Sequence, residues 1–422
     1  MAAAESEYEK SVRIKGYGFQ QYEYDDFEKR LTNNPNFRLD EAKKREAEKI
    51  VSSKDCKITV HPIVIESLED YIKEITKLKS DFFNPILYRG HTNANYLMLP
   101  SVMRNLMDKE DLLYEEFCRR FPNEIHHCEN SMEKLVFMQH YKTVTRTLDL
   151  SENPLFGLFF ACADDKRFRL NTTGNRYKWG EVILVRAPED EWNKETHYRS
   201  DIRYPHNSLV SVLSNVGFLR KEFSLHQLQM AYQNDQHIAS RNNFIYFRDV
   251  LSRSVIVRTK QDNPRIQHQQ GAFLLVNANE IDRISCLNDY KNVNIDIKKL
   301  TDYVLSGEID SFEMNLEYMQ NGYYIDFPQL SREKQYDVHF KKVVPYSLDN
   351  NDPRMQNDPF DLRRFLYKNE NGEQIVFLIP PTAKSHIKEQ LAKLNITDAF
   401  VYPEMDSVSN ELYERFSGSF TY

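Results

Sequence analysis

The clearest pattern along the chain is an apolar stripe behind Ser67 that recurs every three or four residues up to Leu78. This spacing places the apolar side chains on one helical face, with Ser67 as the cap. Asn130 caps a second such segment, and Asn153 precedes a Pro154 that suits a first helical turn. Helices are therefore predicted around residues 66–80, 110–121 and 130–141, and from Pro154 onward.

Short apolar runs between these helices predict β-strands. They fall at residues 86–88, 180–187, 254–259, 271–276, 374–379 and 398–403. The last two alternate with helical patterns, which predicts a strand–helix–strand–helix order at the end of the chain.

The distribution of charge divides the chain. Residues 1–60 are highly charged and lack periodic apolar positions, which indicates an N-terminal extension with a solvated helix at Asp40–Ile50. Residues 61–422 would form one domain. Within it, core motifs are expected at residues 82–163 and 254–276, and insertions at residues 187–253 and 280–370.

Composition narrows the class of protein. The 422 residues include 56 basic and 63 acidic side chains, and the net charge of −7 argues against a general nucleic-acid surface, although a local basic groove stays open. No apolar run approaches the roughly 20 residues of a membrane helix, and the start has no secretory pattern. Five widely spaced cysteines favour neither a disulfide framework nor a zinc cluster. We expect a cytoplasmic protein that does not associate with a membrane.

The segment ILYRG ends an apolar strand on Arg89 and Gly90, and Arg104 follows. Guanidinium groups bind phosphates and carboxylates through paired hydrogen bonds, and a glycine lets a ligand or a backbone come close. A structural arginine that holds carbonyls or a buried carboxylate is an equal alternative at this stage.

A second polar stretch lies between two apolar helices and contains Gln139, His140, Thr145, Arg146 and Asp149. Arg146 and Asp149 could pair three residues apart in a helix, or across a turn. His140 could act as a general base or as a ligand-binding donor. A lone histidine is more often a satisfied core residue, but the density of polar side chains here favours a site.

Two later stretches are weaker candidates. Arg265, His268, Gln269 and Gln270 precede Gly271 at the start of an apolar strand, and a simple loop explains them equally well. Glu404 and Asp406 follow another predicted strand, where a helix cap is the simpler interpretation of Asp406. The sequence contains no Walker loop, dinucleotide fingerprint, zinc-protease motif or serine-hydrolase elbow. No metal site is predicted.

In their order and spacing, these stretches resemble the FRG domain family, which is named for an aromatic-Arg-Gly motif. The matching elements are Tyr88-Arg89-Gly90, Leu99-Pro100-Ser101 with Arg104, Gln139-His140-Tyr141, Thr145-Arg146-Thr147-Leu148-Asp149, Asn153-Pro154 through Phe160-Ala161, and Arg265 with Gln270-Gly271 and Phe273. Lys142-Thr143-Val144 stands where the family commonly has Gly-Leu-Pro, and Leu150 where it commonly has tryptophan.

The family's layout is similar to that of ADP-ribosyltransferases, in which an arginine on the first core strand anchors NAD. The resemblance implies an α+β fold, with an ADP-ribosyltransferase-like mixed β core flanked by helices and carrying helical insertions. It implies a cytoplasmic, bacterial protein that binds NAD as substrate or ligand and acts as an ADP-ribosyltransferase or NAD glycohydrolase. Its role would be that of a toxin or phage-defence effector, with an unidentified macromolecular acceptor.

The resemblance also implies roles for individual residues. The catalytic set would be Arg89, His140, Asp149 and Gln270, and the nucleotide-binding set Arg89, Gly90, Arg104, Gln139, Thr145 and Arg146. Arg89 would hold phosphate, Gln139 and His140 would orient the ribose or nicotinamide, and Asp149 would position Arg146. Because Gln270 carries no charge, Asp149 or Glu404 would have to supply the carboxylate.

Two other classes of function stay open. The first is a nucleotide-sensing or interaction module without catalysis, in which the same polar cluster binds a ligand or organises the core. The second is a nuclease, which the acidic net charge disfavours. Convergence of Arg89, Asp149 and Gln270 on one open cleft would favour a site, and mutual burial would favour a structural cluster.

Overall fold

The structure is a computed structural model. It describes residues 60–80, 84–94, 96, 98–163, 179–188, 202–203, 208–224, 227–228, 230–231, 254–260, 267, 269, 271–277, 279–286, 336–342 and 362–403. The helix predicted at Asp40–Ile50 lies outside the described residues. The same holds for Arg265, His268, Gln270, Glu404 and Asp406.

Eleven strands of the described residues form two sheets. The strands are β1 Val60–Val64, β2 Ile86–His91, β3 Thr147–Ser151, β4 Gly180–Arg186, β5 Ile202–Arg203, β6 Glu222–Ser224, β7 Val255–Val257, β8 Gly271–Leu275, β9 Asn279–Cys286, β10 Tyr336–Lys342 and β11 Gln374–Ile379. The large sheet has the order β1-β11-β4-β2-β3-β8-β7-β5, and the small one β6-β10-β9. In the large sheet the outermost pair at each edge is parallel, and the pairs between them are antiparallel.

Helices pack on both faces of the large sheet. They are α1 Leu68–Ile75, α2 Val102–Asn105, α3 Glu110–Arg120, α4 Pro122–Ile125, α5 Ser131–His140, α6 Pro154–Cys162, α7 Ser208–Asn215, α8 Lys384–Lys393 and α9 Asp398–Val401. The predicted caps are confirmed, since Ser67, Asn130 and Asn153 each accept a hydrogen bond from the backbone of the following turn. The mixed sheet with flanking helices confirms the α+β class at this level.

The packing divides the helices into two groups around β3. Leu87, Leu148, Leu150 and Leu274 belong to one core, on the face of the sheet that also carries α2. On the other face, α1, α6 and α8 pack on β1, β11, β4 and β2, while α3, α5 and α7 pack on β7 and β8. Since β3 lies between β2 and β8, its helix-facing side chains fall between the two groups of helices.

Two expectations from the sequence were wrong in detail. The segment at 398–403 was predicted as a strand, but α9 is a helix because Thr397 caps it by accepting a hydrogen bond from the Phe400 amide. A helix or a turn is expected for the segment with Arg146 and Asp149, but Thr147–Ser151 form strand β3 and Arg146 directly precedes it. The strand predicted at 86–88 is real but continues to His91, so that Arg89 and Gly90 lie within it.

Gly90 brings β2 and α6 into contact. A Cβ atom at Gly90 would lie 2.1 Å from the carbonyl oxygen of Gly157, and one at Gly157 would lie 2.8 Å from the Tyr88 Cβ. Two glycines therefore allow the buried helix to rest directly on the strand. None of the helices in the described ranges has the length and apolar content to span a bilayer.

Candidate functional site

A cleft opens on the face of the large sheet that carries α5, where the two groups of helices meet at β3. Its empty space is about 390 Å³ when the open solvent at its mouth is included. The lining residues come from α5, β3, β8 and the segment before β8: Val136, Gln139, His140, Asp149, Leu150, Gln269, Gly271, Ala272 and Phe273. Three predicted site residues, Gln139, His140 and Asp149, therefore share this cleft.

Four polar side chains, which we call the cleft cluster, connect the end of α5 to β3: Gln139, Thr145, Thr147 and Asp149. The hydroxyl of Thr145 donates to Gln139 Oε1 at 2.6 Å, and the hydroxyl of Thr147 donates to the same oxygen. With its oxygen on the two hydroxyls, the Gln139 amide directs its nitrogen to Asp149 Oδ1, 2.7 Å away. Thr145 and Thr147 are buried, so this orientation is fixed from within the protein.

Asp149 is the carboxylate of the cleft. It is exposed, whereas its neighbours Leu148 and Leu150 are buried, because side chains of a strand alternate between the two faces. Its Oδ1 accepts from Gln139, and no described residue donates to Oδ2. One oxygen of Asp149 is thus held in place while the other can accept a hydrogen bond from a ligand.

Arg89 reaches the cleft cluster from the neighbouring strand. Within β2 and β3, Tyr88 and Ser151 are the only residues paired across the sheet, so the two strands separate next to Arg89. The Arg89 guanidinium spans this gap and donates from Nη1 to the carbonyl oxygen of Asp149 at 2.7 Å. Arg89 is half-buried and is not one of the residues that line the cleft. It supports the backbone of the cleft carboxylate.

His91 and Glu181 hold Arg89, and the sequence analysis missed both. Arg89 Nε donates to His91 Nε2 at 3.0 Å, and His91 Nδ1 lies 2.8 Å from Glu181 Oε1. His91 and Glu181 are buried and directly opposite each other on β2 and β4. The available signal was Glu181, a carboxylate inside the otherwise apolar strand GEVILVR.

Arg146 belongs to a different cluster, which corrects the prediction that Asp149 positions it. Its guanidinium forms a bidentate pair with Glu110 of α3 and also donates to Asn277. Lys342 of β10 adds a second cation, with Nζ 3.1 Å from Glu110 Oε2. Arg146 precedes β3 and its side chain extends to α3, whereas Asp149 lies within the strand and lines the cleft. The side chains of Arg146 and Glu110 are 0% exposed, so Arg146 cannot reach a nucleotide.

We call this second group the buried charge cluster: Glu110, Tyr114, Arg146, Asn277 and Lys342. Burial by itself raises the pKa of Glu110, but the charges of Arg146 and Lys342 outweigh it and bring the pKa below its ordinary value. Burial lowers the pKa of Lys342 to about 8, against the opposing charge of Glu110. The Tyr114 hydroxyl donates to Glu110 Oε1 at 2.9 Å, and burial raises its pKa well above the ordinary value.

The other predicted site residues have varied positions. His140 lines the cleft, with its ring edge-on to Tyr141. The close approach at Gly90 is made by α6, so Gly90 serves packing and not nucleotide binding.

Gln270 and the side chain of Arg104 lie outside the described part of the chain. Gln269, which the sequence placed beside Gln270, does line the cleft, and its amide donates to the Val401 carbonyl at 2.9 Å. Among the described residues, no three His, Cys, Asp or Glu side chains gather as a metal site would require.

The turn after α5 supports the rim of the cleft. Lys142 has a φ of 63°, a left-handed conformation in which glycine is the usual residue after a helix. The backbone amide of Lys142 donates to the Gln139 carbonyl, and that of Thr143 donates to the Met138 carbonyl. These two bonds close the end of the helix next to His140. Lys142 therefore adopts a geometry that the glycine common in FRG sequences would take without strain.

Comparison with protein-family models matches residues 84–169 to the FRG domain. A search of curated proteins found no match, and neither did a search of solved structures. The matched range includes Arg89, the whole cleft cluster and α6, while the late element at residues 265–273 lies beyond it. The chain therefore carries an FRG domain at residues 84–169.

Proposed function

We propose that the cleft binds an NAD-type nucleotide and that the protein cleaves the nicotinamide–ribose bond, as an ADP-ribosyltransferase or NAD glycohydrolase. One observation supports this most strongly: an exposed carboxylate, Asp149, stands on an open cleft with one oxygen fixed by Gln139. The mixed sheet, with an arginine on a central strand next to this cleft, is also what a fold like that of the ADP-ribosyltransferases would have.

The chemistry requires a carboxylate near the ribose. When the C–N bond to nicotinamide breaks, its electron pair leaves with nicotinamide and positive charge develops on the ribose ring. A fixed carboxylate stabilises that charge and can also accept a ribose hydroxyl. In this proposal Asp149 Oδ2 does both. Water or an acceptor group then attacks the ribose carbon, and His140, which also lines the cleft, accepts the proton that is released.

The remaining residues of the cleft would orient the nucleotide. Gln139 is held by two threonine hydroxyls, so it offers a rigid wall and not a flexible side chain. Arg89 contacts the backbone carbonyl of Asp149. Its positive charge would favour binding of the diphosphate at the gap between β2 and β3. Phe273 and Val136 supply apolar surface for a planar ring.

The test is NAD consumption and nicotinamide release by the purified full-length chain, with NAD binding measured by calorimetry. Asp149→Asn should keep the hydrogen bond from Gln139 and remove the charge, so turnover should fall by about 100-fold or more while binding changes little. Asp398→Asn is the matched control, because Asp398 is an exposed aspartate that pairs with Lys388 and does not line the cleft. Full turnover by Asp149→Asn would overturn the proposal.

A second candidate is a nucleotide-sensing module that binds the same ligand without cleaving it. The observation in its favour is that Arg89 contacts the backbone behind the cleft and that no arginine is part of the described lining. In that case calorimetry would detect NAD binding by the wild type and no nicotinamide would form. Loss of this binding in Asp149→Ala would still place the ligand in the cleft.

We also propose that the protein acts as a toxin or phage-defence effector. The proposal rests on the proposed activity, since an enzyme that consumes NAD or modifies a macromolecule arrests the growth of the cell that contains it. Induced expression in bacteria should then lower cellular NAD and stop growth, and Asp149→Asn should relieve both effects. Growth arrest that persists in Asp149→Asn would contradict this role.

A further inference from the structure

A chain of three hydrogen bonds connects the buried Glu181 with the carboxylate residue of the cleft. It runs from Glu181 Oε1 to His91 Nδ1 at 2.8 Å, from His91 Nε2 to Arg89 Nε at 3.0 Å, and from Arg89 Nη1 to the Asp149 carbonyl at 2.7 Å. These three hydrogen bonds run across β4, β2 and β3 at the position where β2 and β3 separate. They therefore replace the backbone pairing that the sheet lacks next to Asp149.

The chemistry of these groups defines the state of His91. A guanidinium only donates hydrogen bonds, so His91 Nε2 must be unprotonated to accept from Arg89. A neutral imidazole then carries its hydrogen on Nδ1, which donates to Glu181. The side chains of His91 and Glu181 are 4% and 0% exposed, so water does not compete for these positions.

We infer that His91 and Glu181 are positioning residues, which act on the cleft by holding Arg89 against the Asp149 backbone. Protonation of His91 at Nε2 would place two N–H groups against each other. The hydrogen bond between Arg89 Nε and His91 Nε2 would then break. The consequence for catalysis rests on the proposed function, whereas the arrangement of Arg89 does not. Cleavage of NAD should accordingly weaken as the pH falls through the titration of His91.

The groups around His91 define this dependence. Arg89 faces it from β2 and Glu181 from β4, and the ring of Tyr96 lies edge-on with centroids 6.2 Å apart. From α8, Lys384 donates to the carbonyl of Thr92, the residue after His91. Glu181 favours the protonated imidazole and the two cations oppose it, so a variant of His91 itself is needed to assign the titration.

His91→Gln is the informative variant, because an amide also has one acceptor and a donor but does not titrate in this range. It should retain NAD cleavage at about pH 8, and its activity should fall less steeply than that of the wild type toward about pH 5.5, because protonation of His140 is then the one histidine-dependent loss that remains. This range lies around the ordinary histidine pKa of about 6.5. His91→Ala should lower activity about tenfold or more at every pH, since Arg89 loses a charged hydrogen bond. His61→Gln is the matched control. His61 lies on edge strand β1 and is also close to a glutamate, Glu373. Its profile should follow the wild type.

A measurement without nucleotide separates this inference from the proposed function. Labelling the imidazole nitrogens of the 12 histidines with ¹⁵N identifies His91 as the signal that disappears in His91→Gln. At about pH 8 it should show hydrogen on Nδ1 and an unprotonated Nε2, and Glu181→Gln should shift this balance. Hydrogen on Nε2, or a His91→Gln profile that still falls with acid as the wild type does, would overturn the inference. An Nδ1–H signal in a protein that neither binds nor cleaves NAD would support the positioning of Arg89 and overturn the proposed function instead.

Discussion

The FRG domain contributes residues to two polar clusters, the buried charge cluster and the cleft cluster, which differ in how much of their polar surface is open to a ligand. In the buried charge cluster, Arg146 is enclosed by Glu110 and Asn277, and Lys342 joins the same carboxylate. In the cleft cluster, Asp149 is exposed and uses one oxygen within the described structure. The charges of the first are paired within the protein, whereas the second presents polar side chains to an open cleft.

The difference shows that a polar motif in a sequence can serve two purposes at once. Residues 145–149 include Thr145 and Asp149 of the cleft cluster and Arg146 of the buried charge cluster. Because the segment is extended, neighbouring side chains point in different directions. The same five residues therefore contribute both to the contact with α3 and the small sheet and to the lining of the cleft.

The largest expected effect is on stability when the buried charge cluster loses its carboxylate. Glu110→Gln leaves Arg146 and Lys342 buried without a counter-charge, and this should lower the free energy of unfolding by ~3–5 kcal/mol. Urea denaturation followed by circular dichroism measures it. Glu116→Gln, on the same helix but pairing with arginines at the surface, should cost less than ~1 kcal/mol. Equal losses in the two variants would remove the distinction between closed and exposed charge.

Lys342 gives the buried charge cluster a characteristic pH dependence. Its pKa is about 8 in the folded protein and near the ordinary 10.5 when unfolded. Between these values the unfolded chain binds more protons, so stability should rise with pH. From about pH 8 to about pH 9.5 we expect a gain of about 1–2 kcal/mol in the free energy of unfolding. Lys342→Met should be less stable but should lack this gain, and a gain that persists in Lys342→Met would show that another group titrates.

The helices and their caps could be predicted from the sequence more accurately than the partners of the polar side chains. The caps at Ser67, Asn130 and Asn153 depend on neighbouring residues, and all three were predicted correctly. The partner of Arg146 is Glu110, which lies 36 positions away in the chain and has no local signal. Glu181 could have been noticed as a charge within an apolar strand, but its partner His91 becomes evident only when β2 and β4 are paired. Long-range contacts decide which polar residues meet, and local patterns do not contain them.

The rim of the cleft allows a gain in stability. Lys142→Gly should raise the free energy of unfolding by about 1 kcal/mol, because it relieves a left-handed lysine at the end of α5. Asn395 has a φ of 62° after α8, and asparagine tolerates this conformation well. Asn395→Gly should therefore change stability by only a few tenths of a kcal/mol. If Lys142→Gly gives no gain while Asn395→Gly does, strain at the rim is not the cause.

The smallest expected change in stability comes from the carboxylate of the cleft cluster, and it tests the comparison most directly. Asp149→Asn makes the same kind of chemical change as Glu110→Gln, a carboxylate to its amide, but at an exposed position that keeps its acceptor for Gln139. The free energy of unfolding should change by less than ~1 kcal/mol, measured in the same urea titration, while the NAD cleavage of the proposed function should be lost. A loss of several kcal/mol would instead make Asp149 structural in the way that Glu110 is. A small loss would mean that folding does not need the negative charge of Asp149. That result is expected of a carboxylate whose role is to bind a ligand.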